Sequence, residues 1–565
     1  MRRNVVPAWA GALAGLVAGA VALGVAQLVA AVVRPEAFPV VAVGDAVVDL
    51  SPAPVKDWAI ATFGENDKTV LVAGVLVLLA AAAAGLGVLA TRRIGYGQAG
   101  LAVFAVIGVW AVLTRPDAGP ADVLPTVAGL GVGIWALGFL VRRAYTTAPA
   151  LAKKPAGDGP VGDGPGGDES VGEPGGDGPV GGGPAGGGPV GGGPGRGGPS
   201  EWPTVHGSEM AFDRRRLLAG AAGGVVVAGA STFLGRAWSG SEAIDAARGG
   251  LVLPKAATPA APLPQGVDFR LDGLTPFVTK NRDFYRVDTA LILPRIDPGQ
   301  WRLRIHGMVD RPVELTYADL LKRPLTEADV TLTCVSNEVG GDLAGNARWL
   351  GVPLAAILRE AGVQSAADML LSTSDDGWTC GTPVDVVMDG RNALLAVGMN
   401  GEPLPLTHGF PVRQVVPGLY GYVSATKWVV DIKVTRFDRD EAYWTPRGWA
   451  AKGPIKTQSR IDLPRDRAKV AAGRTTIAGV AWAQHTGVDA VEVRVDGGAW
   501  QQARLAQAPT ADTWRQWALD WQATPGEHTI QVRATDAAGR TQTEQKAPVA
   551  PDGASGWHTI SVRVG

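Results

Sequence analysis

Four stretches near the start of this 565-residue chain are apolar over lengths that cross a bilayer as helices, and they constrain the fold more than any other feature. They run roughly from Pro7 to Val33, Thr69 to Ala90, Gln98 to Leu113 and Val123 to Val141. A helix satisfies its own backbone in hydrocarbon, so residues 1–147 read as a four-helix transmembrane region. If the helices alternate, Arg2 and Arg3, Arg92 and Arg93, and Arg142 and Arg143 with Lys153 and Lys154 all fall on one side. By the positive-inside tendency that side is the cytoplasm. No histidine occurs in the four stretches and their charges sit at the ends, which excludes a bis-histidine haem and leaves nothing from which to build a proton relay. An anchor, or a platform for a partner, is the reading this favours over a transporter.

Residues 148–212 then run through KKPAGDGPVGDGPGGDES and GGGPAGGGPVGGGPGRGGP, which cannot bury a core and read as a flexible cytoplasmic linker. A fifth crossing follows over 213–236, DRRRLLAGAAGGVVVAGASTFLG. Arg214 and Arg215, one spacer, Leu217 and Leu218 before a mildly apolar run resemble a twin-arginine export signal. Three arginines marking the cytoplasmic end of an ordinary helix give the same topology. Everything after it is expected outside, on a multi-pass protein of the plasma membrane, and the export signal adds the expectation of a cofactor inserted before export. Ala228-Gly-Ala230 offers a cleavage site, but an uncleaved anchor keeps the exported part with its helices.

The exported half divides again. Residues 245–455 read as α+β: WRLRIHGMV alternates as a half-buried strand, Thr316 and Asp319 stand at capping-box spacing, and VPLAAILREAG is a helix that starts after Pro353 and stops at Gly362. Residues 460–565 read as an all-β immunoglobulin-like sandwich, with alternating runs such as TTIAGVAWA and DAVEVRVDGGAW and a hairpin turn at Asp496-Gly497-Gly498.

A net charge of −1 gives no basic field for nucleic acid. The two cysteines, Cys334 and Cys380, form no C-x-x-C, so neither a structural zinc site nor a dithiol pair is supported, while a disulfide between them stays open. No G-x-S-x-G, H-E-x-x-H or strand-borne G-x-G-x-x-G is present, which removes the common hydrolase and dinucleotide readings. What remains is a thiol in TLTCVSNEVGG and the segment Met399 to Trp428, where His408, Arg413, Ser424 and Lys427 fall among glycines and prolines. Those residues suit an anion pocket, or else a structural ion-pair cluster.

Three motifs recur in order from about Phe277: TKNRDFYRVDT, TCVSN, and N-G-x-P-L-P…H-G-F-P-V-R…V-P-G…K-W. With them the exported half resembles the sulfite oxidase family of molybdenum enzymes. That resemblance implies a molybdopterin cofactor whose metal is bound by the Cys334 thiolate, so that a free thiol replaces the disulfide reading. Carried over, Asn281 and Tyr285 contact the cofactor from the first loop, and His408 and Arg413 hold the pterin and its phosphate. Ser424 and Lys427 follow, with one extra residue before Lys427-Trp428; Asp375 in STSDDGW belongs to the intervening segment, and Tyr443 in EAYW lies near the metal as a catalytic candidate. The sandwich resembles the family's dimerisation domain, implying a homodimer. This chain departs from the family pattern at Glu338 and Val339, where arginine is expected, and in having Lys280 before Asn281. A carboxylate beside an anion site weakens the case for sulfite. No haem is expected, so electrons pass to an external carrier, a cytochrome or a quinone-linked protein. The expected activity is two-electron oxo transfer on a small substrate at the outer face, by sulfite-like oxidation or by reduction of an S- or N-oxide. The competing expectation is a non-catalytic cell-surface scaffold that keeps the fold.

Overall fold

The computed structural model describes residues 6–52, 55, 62–63, 67–115, 118–147, 210–238 and 241–565. The glycine- and proline-rich stretch 148–209, with Lys153 and Lys154, lies outside the described residues, as do Arg2 and Arg3.

The membrane-side helices are α1 (Ala8–Val33), α2 (Pro39–Leu50), α3 (Asp67–Arg92), α4 (Ile94–Leu113), α5 (Leu124–Arg143) and α6 (Arg214–Trp238). Of these, α1 and α3 to α6 contain spans long and apolar enough to cross a bilayer. Helix α1 is central and packs on α3, α5 and α6. Small residues make that possible: a Cβ on Gly15 would run into the backbone of Ala83, and one on Gly87 into that of Gly11. The third span starts at Ile94, four residues before the apolar run suggests, and the short helix α2 has no counterpart in the sequence reading. Residues 210–212, read as the end of the linker, instead form a strand: β2 (Met210–Phe212) pairs antiparallel with β1 (Tyr145–Thr147). The end of the bundle opposite Arg92 and Arg143 carries arginines too, but Arg34 there is paired with Asp122 and Arg115 with Asp45.

The α+β half contains β3 (Arg302–Gly307), β4 (Val313–Thr316), β5 (Thr326–Thr333), β6 (Ala344–Pro353), β7 (Met369–Ser374), β8 (Thr379–Pro383), β9 (Leu394–Met399), β10 (Glu402–Pro403), β11 (Arg413–Val415) and β12 (Val429–Thr435). One sheet has the order β4-β3-β12-β7-β8; the other has β10-β9-β6-β5, with β11 also on β9. β3 alternates exposed and buried as its sequence requires, whereas β9 is buried throughout because it lies between layers. The Thr316–Asp319 capping box forms, and the helix after Pro353 ends at Gly362 in the left-handed conformation that glycine adopts without strain.

In the C-terminal region two mainly antiparallel sheets face each other across Ile477, Val491, Trp517 and Ile530. Strand β5 is the edge of its own sheet, and loops of this C-terminal region cover that edge. The Thr331 amide donates to the Asp512 carbonyl at 2.9 Å, and the Trp514 amide donates to Thr331 Oγ1 at 2.8 Å. Gln484 Nε2 donates to the Thr331 carbonyl at 3.1 Å and to Thr333 Oγ1 at 2.9 Å. The strand that leads to Cys334 is therefore clamped from outside its own sheet.

Candidate active site

Cys334 is the first residue after β5, and its position is set by the loop it opens. Its amide donates to the Leu343 carbonyl at 2.9 Å and its carbonyl accepts from the Asn337 amide at 3.1 Å. Asn337 Oδ1 accepts the Leu343 amide at 2.8 Å, closing residues 334–343 into a compact turn between β5 and β6. Both cysteines are free and buried, so the disulfide left open by the sequence does not form. Burial pushes the Cys334 thiol up from its ordinary range, against hydrogen bonding with Ser336 and the positive charge of Lys427. Cys380, on β8, lies 3.7 Å from Thr382 Oγ1 within the core.

Tyr285 and Tyr420 both feel the Cys334 sulfur, and of the two Tyr285 also feels Arg413. Burial, then the Cys334 sulfur, pushes the Tyr285 hydroxyl above its ordinary range, while Arg413 pulls the other way. Arg413 is 5 % exposed. Its guanidinium donates to the carbonyls of His408, at 3.2 Å, and Ala425, at 3.5 Å, and its Nε has no acceptor. Burial brings it down to about 10, which leaves it charged at neutral pH. A buried cation with an unmatched donor and only carbonyls as partners is costly in isolation and fits an anionic group.

His408 donates through Nε2 to the backbone carbonyl of Asn281 at 3.0 Å, and its ring meets Phe284 edge-on. Burial, with Arg413 second, lowers it to about 4, so it stays neutral near pH 7. The Asn281 side chain binds within the chain: Nδ2 donates to Glu402 Oε1 at 2.6 Å, and Oδ1 accepts from Asn400 Nδ2 at 2.8 Å. Gly409 follows in the left-handed region with φ +103°, and a Cβ there would sit 3.0 Å from Arg413 Cβ and 3.1 Å from Lys427. This glycine lets three predicted site residues pack within one short loop pair.

Lys427 donates to Asp288 Oδ2 at 2.8 Å, and Arg286 Nε reaches the same oxygen at 2.8 Å. Burial lowers Lys427 to about 8 even though Asp288 holds it up. Burial would raise the Asp288 carboxyl, but Lys427, Lys68 and Arg286 together hold it well below the usual carboxylate range. Trp428 adopts φ +51°, a strained value for a bulky residue, and its carbonyl accepts the Asp375 amide at 2.9 Å. That places Asp375 beside the Lys427 loop. Ser424 is fully buried, with its hydroxyl donating to the carbonyls of Leu419 and Tyr420 at 3.1 and 3.0 Å. Tyr443 lies beside β8, where its amide donates to Thr379 Oγ1 at 2.9 Å, and the Arg447 guanidinium lies 3.7 Å from the ring centre. Glu338 is exposed in the Cys334 turn.

The structure brings His408, Arg413 and Lys427 together around Gly409, and the charges of Arg413 and Lys427 reach Tyr285 and Cys334 respectively. Sequence reasoning missed Asp288, one of two aspartates within TKNRDFYRVDT and the nearer of them to Arg286. It also missed Trp349, over which Arg413 lies at 4.9 Å; nothing in local spacing marks that residue.

Residues 290–444 match the model of the oxidoreductase molybdopterin binding domain. The chain is similar to the mitochondrial sulfite oxidase of Mus musculus, with 32% identity over 342 residues, 51% of this chain and 62% of that protein. The human mitochondrial sulfite oxidase is 31% identical over 340 residues, again 51% and 62%. An uncharacterized oxidoreductase of Bacillus subtilis is 34% identical over 157 residues, 28% of this chain and 76% of that protein. Among solved structures, the sulfane dehydrogenase SoxCD from Paracoccus pantotrophus is 27% identical, with a TM-score of 0.45, covering 51% of this chain and 82% of that one. The chain thus spans less than two thirds of the mammalian proteins it matches.

Proposed function

From the premise that this chain belongs to the sulfite oxidase family of molybdopterin-dependent oxidoreductases, we propose that it is a membrane-anchored enzyme performing two-electron oxo transfer on a small substrate at the outer face. The observation that carries this reading is Arg413, a buried cation with an unmatched Nε whose charge reaches Tyr285, as the Cys334 sulfur does. Cys334 would hold the molybdenum, and Arg413, His408 and Lys427 the pterin and its phosphate, with Asn281 orienting His408. Asp375 and Ser424 would serve through their loops, and Tyr443 is a second tyrosine candidate near the metal. The bound cofactor supplies the two-electron chemistry. The chain's own residues supply placement: a neutral His408, charged Arg413 and Lys427, and a dry wall of Phe284 and Trp349 that strengthens their hold on an anion.

The topology also has structural support. Helix α3 meets the α+β half at Lys68 and ends at Arg92, roughly 36 Å away at 1.5 Å per residue. The basic clusters thus lie at the end remote from the exported half, and the arginines near it are paired with carboxylates. The C-terminal sheets are read as the immunoglobulin-like module, a homodimer contact that also braces β5, and electrons leave to a separate carrier. The exposed Glu338 favours a substrate other than the sulfite dianion, such as an S- or N-oxide.

Molybdenum and pterin content of the full chain, made in a host that synthesises the cofactor, tests this reading. Dye-linked assays with sulfite and with S- and N-oxides test the direction. We expect stoichiometric molybdenum and a loss of turnover of at least about a hundred-fold in Cys334→Ser. Wild-type protein without molybdenum, or full turnover in Cys334→Ser, sinks the reading.

A further inference from the structure

The Asp288 carboxylate is 3% exposed, and its two oxygens face different parts of the molecule. Oδ2 takes Lys427, and Arg286 spans both oxygens, with Nε on Oδ2 at 2.8 Å and a longer contact of 3.4 Å to Oδ1. Oδ1 takes the ammonium of Lys68, which stands in the first turn of the membrane helix α3. Lys68 also donates to the carbonyls of Asp288, at 2.6 Å, and Ala290, at 2.9 Å. Three contacts of this one ammonium thus go to one short loop. A second helix of the bundle seats the same loop: a Cβ on Gly44 of α2 would lie 2.6 Å from Leu291 Cδ1.

We propose that Lys68 is a positioning residue for the cofactor cleft, acting through the Asp288 carboxylate that it shares with Lys427. The inference rests on the reading that Lys427 faces the cofactor. A buried carboxylate stays where its cations hold it, so a loop pinned by Lys68 presents the second oxygen of Asp288 to Lys427. Without that pin the loop leaves the bundle and Lys427 loses its counter-ion. The helices are then part of the wall of the cleft as well as an anchor.

The test uses the full chain in lipid nanodiscs, as wild type, Lys68→Met, Lys68→Arg and Gly44→Leu. The last displaces the same loop without removing a charge and covers the case in which Lys68→Met does not fold. In cofactor-free protein, reductive methylation of Lys427 is followed by mass spectrometry, with Lys433 and Lys456 as internal references. Loss of charge-assisted hydrogen bonds makes Lys427 react at least about ten-fold faster in Lys68→Met, with the references unchanged and Lys68→Arg near wild type. Equal Lys427 rates overturn the proposal, and so does a rise matched by Lys433 and Lys456, which reports general loosening. In cofactor-loaded protein, molybdenum retained after dialysis falls in Lys68→Met and recovers in Lys68→Arg; full retention in Lys68→Met also overturns it. Absence of molybdenum from the wild type refutes the functional reading alone, since Lys427 methylation decides the coupling without the cofactor.

Discussion

Arg413 lies with its guanidinium 4.9 Å from the centre of the Trp349 ring, and its Nε meets no acceptor. The indole and the His408 carbonyl hold the planar group in one orientation, so its unmatched donor points one way. Lysine in its place keeps the charge but loses the plane and the Nε donor. Arg413→Lys is therefore expected to lower bound molybdenum per chain by about ten-fold or more in metal analysis. Wild-type metal content in that variant would show that the orientation of the guanidinium does not matter.

His408 gives the cleft a pH signature. Its imidazole is held at about 4 by burial and by Arg413, with Lys427 and Arg286 adding in the same direction and the Asn281 carbonyl opposing. The unfolded chain protonates near pH 6.5, so between about 6.5 and 4 it binds more protons than the native state. The stability is fully present above about pH 6.5 and is lost as pH falls toward 4, by on the order of 3 kcal/mol. Thermal midpoints at pH 7 and pH 5 should separate widely for the wild type and less for His408→Gln. Identical pH dependence in the two proteins would count against this assignment.

Thr331 tests the clamp on the cysteine strand. Its fully buried hydroxyl donates to Asn346 Oδ1 at 2.9 Å and accepts the Trp514 amide. Thr331→Val has the same shape but leaves both partners unmatched, which costs about 1–3 kcal/mol. The expected lower unfolding midpoint of the α+β and C-terminal regions is readable by calorimetry, and an unchanged midpoint would argue that β5 needs no brace from the C-terminal sheets.

Gly340 tests how closely the C-terminal region touches the Cys334 turn. It stands at φ +83°, and a Cβ there would run into the His558 ring. That ring is fixed by the Ile461 amide, which donates to Nδ1 at 2.9 Å. Gly340→Ala combines backbone strain with overlap, for a cost of about 2–4 kcal/mol. Lower thermal stability together with greater reactivity of the Cys334 thiol is the expected outcome; a variant with wild-type values would mean the turn yields freely.

Local pattern made much of this legible. Apolar length marked the spans found in α1, α3, α4, α5 and α6, and cap chemistry marked the helix starting at Tyr317 and the stop at Gly362. The motif residues His408, Arg413 and Lys427 were readable because a short loop pair carries them. Helix α2 was not readable: its twelve residues are too few to span a bilayer, and it settles against neighbours instead. The β1–β2 pair was hidden because its two halves flank the long glycine- and proline-rich stretch.

By itself the sequence determined what depends on neighbours along the chain: the apolar spans, the cysteine strand and the order of the motifs. Tertiary structure alone decided which distant groups meet. Asp288 is only a carboxylate in a loop until Lys68, 220 residues away, and Lys427, 139 residues away, close on its two oxygens. Arg413 is only a motif arginine until Trp349 orients it, and β5 an exposed edge until Gln484 and Trp514 cover it. Periodicity and capping act within a few residues, whereas burial of charge and the matching of its partners are properties of the assembled interior.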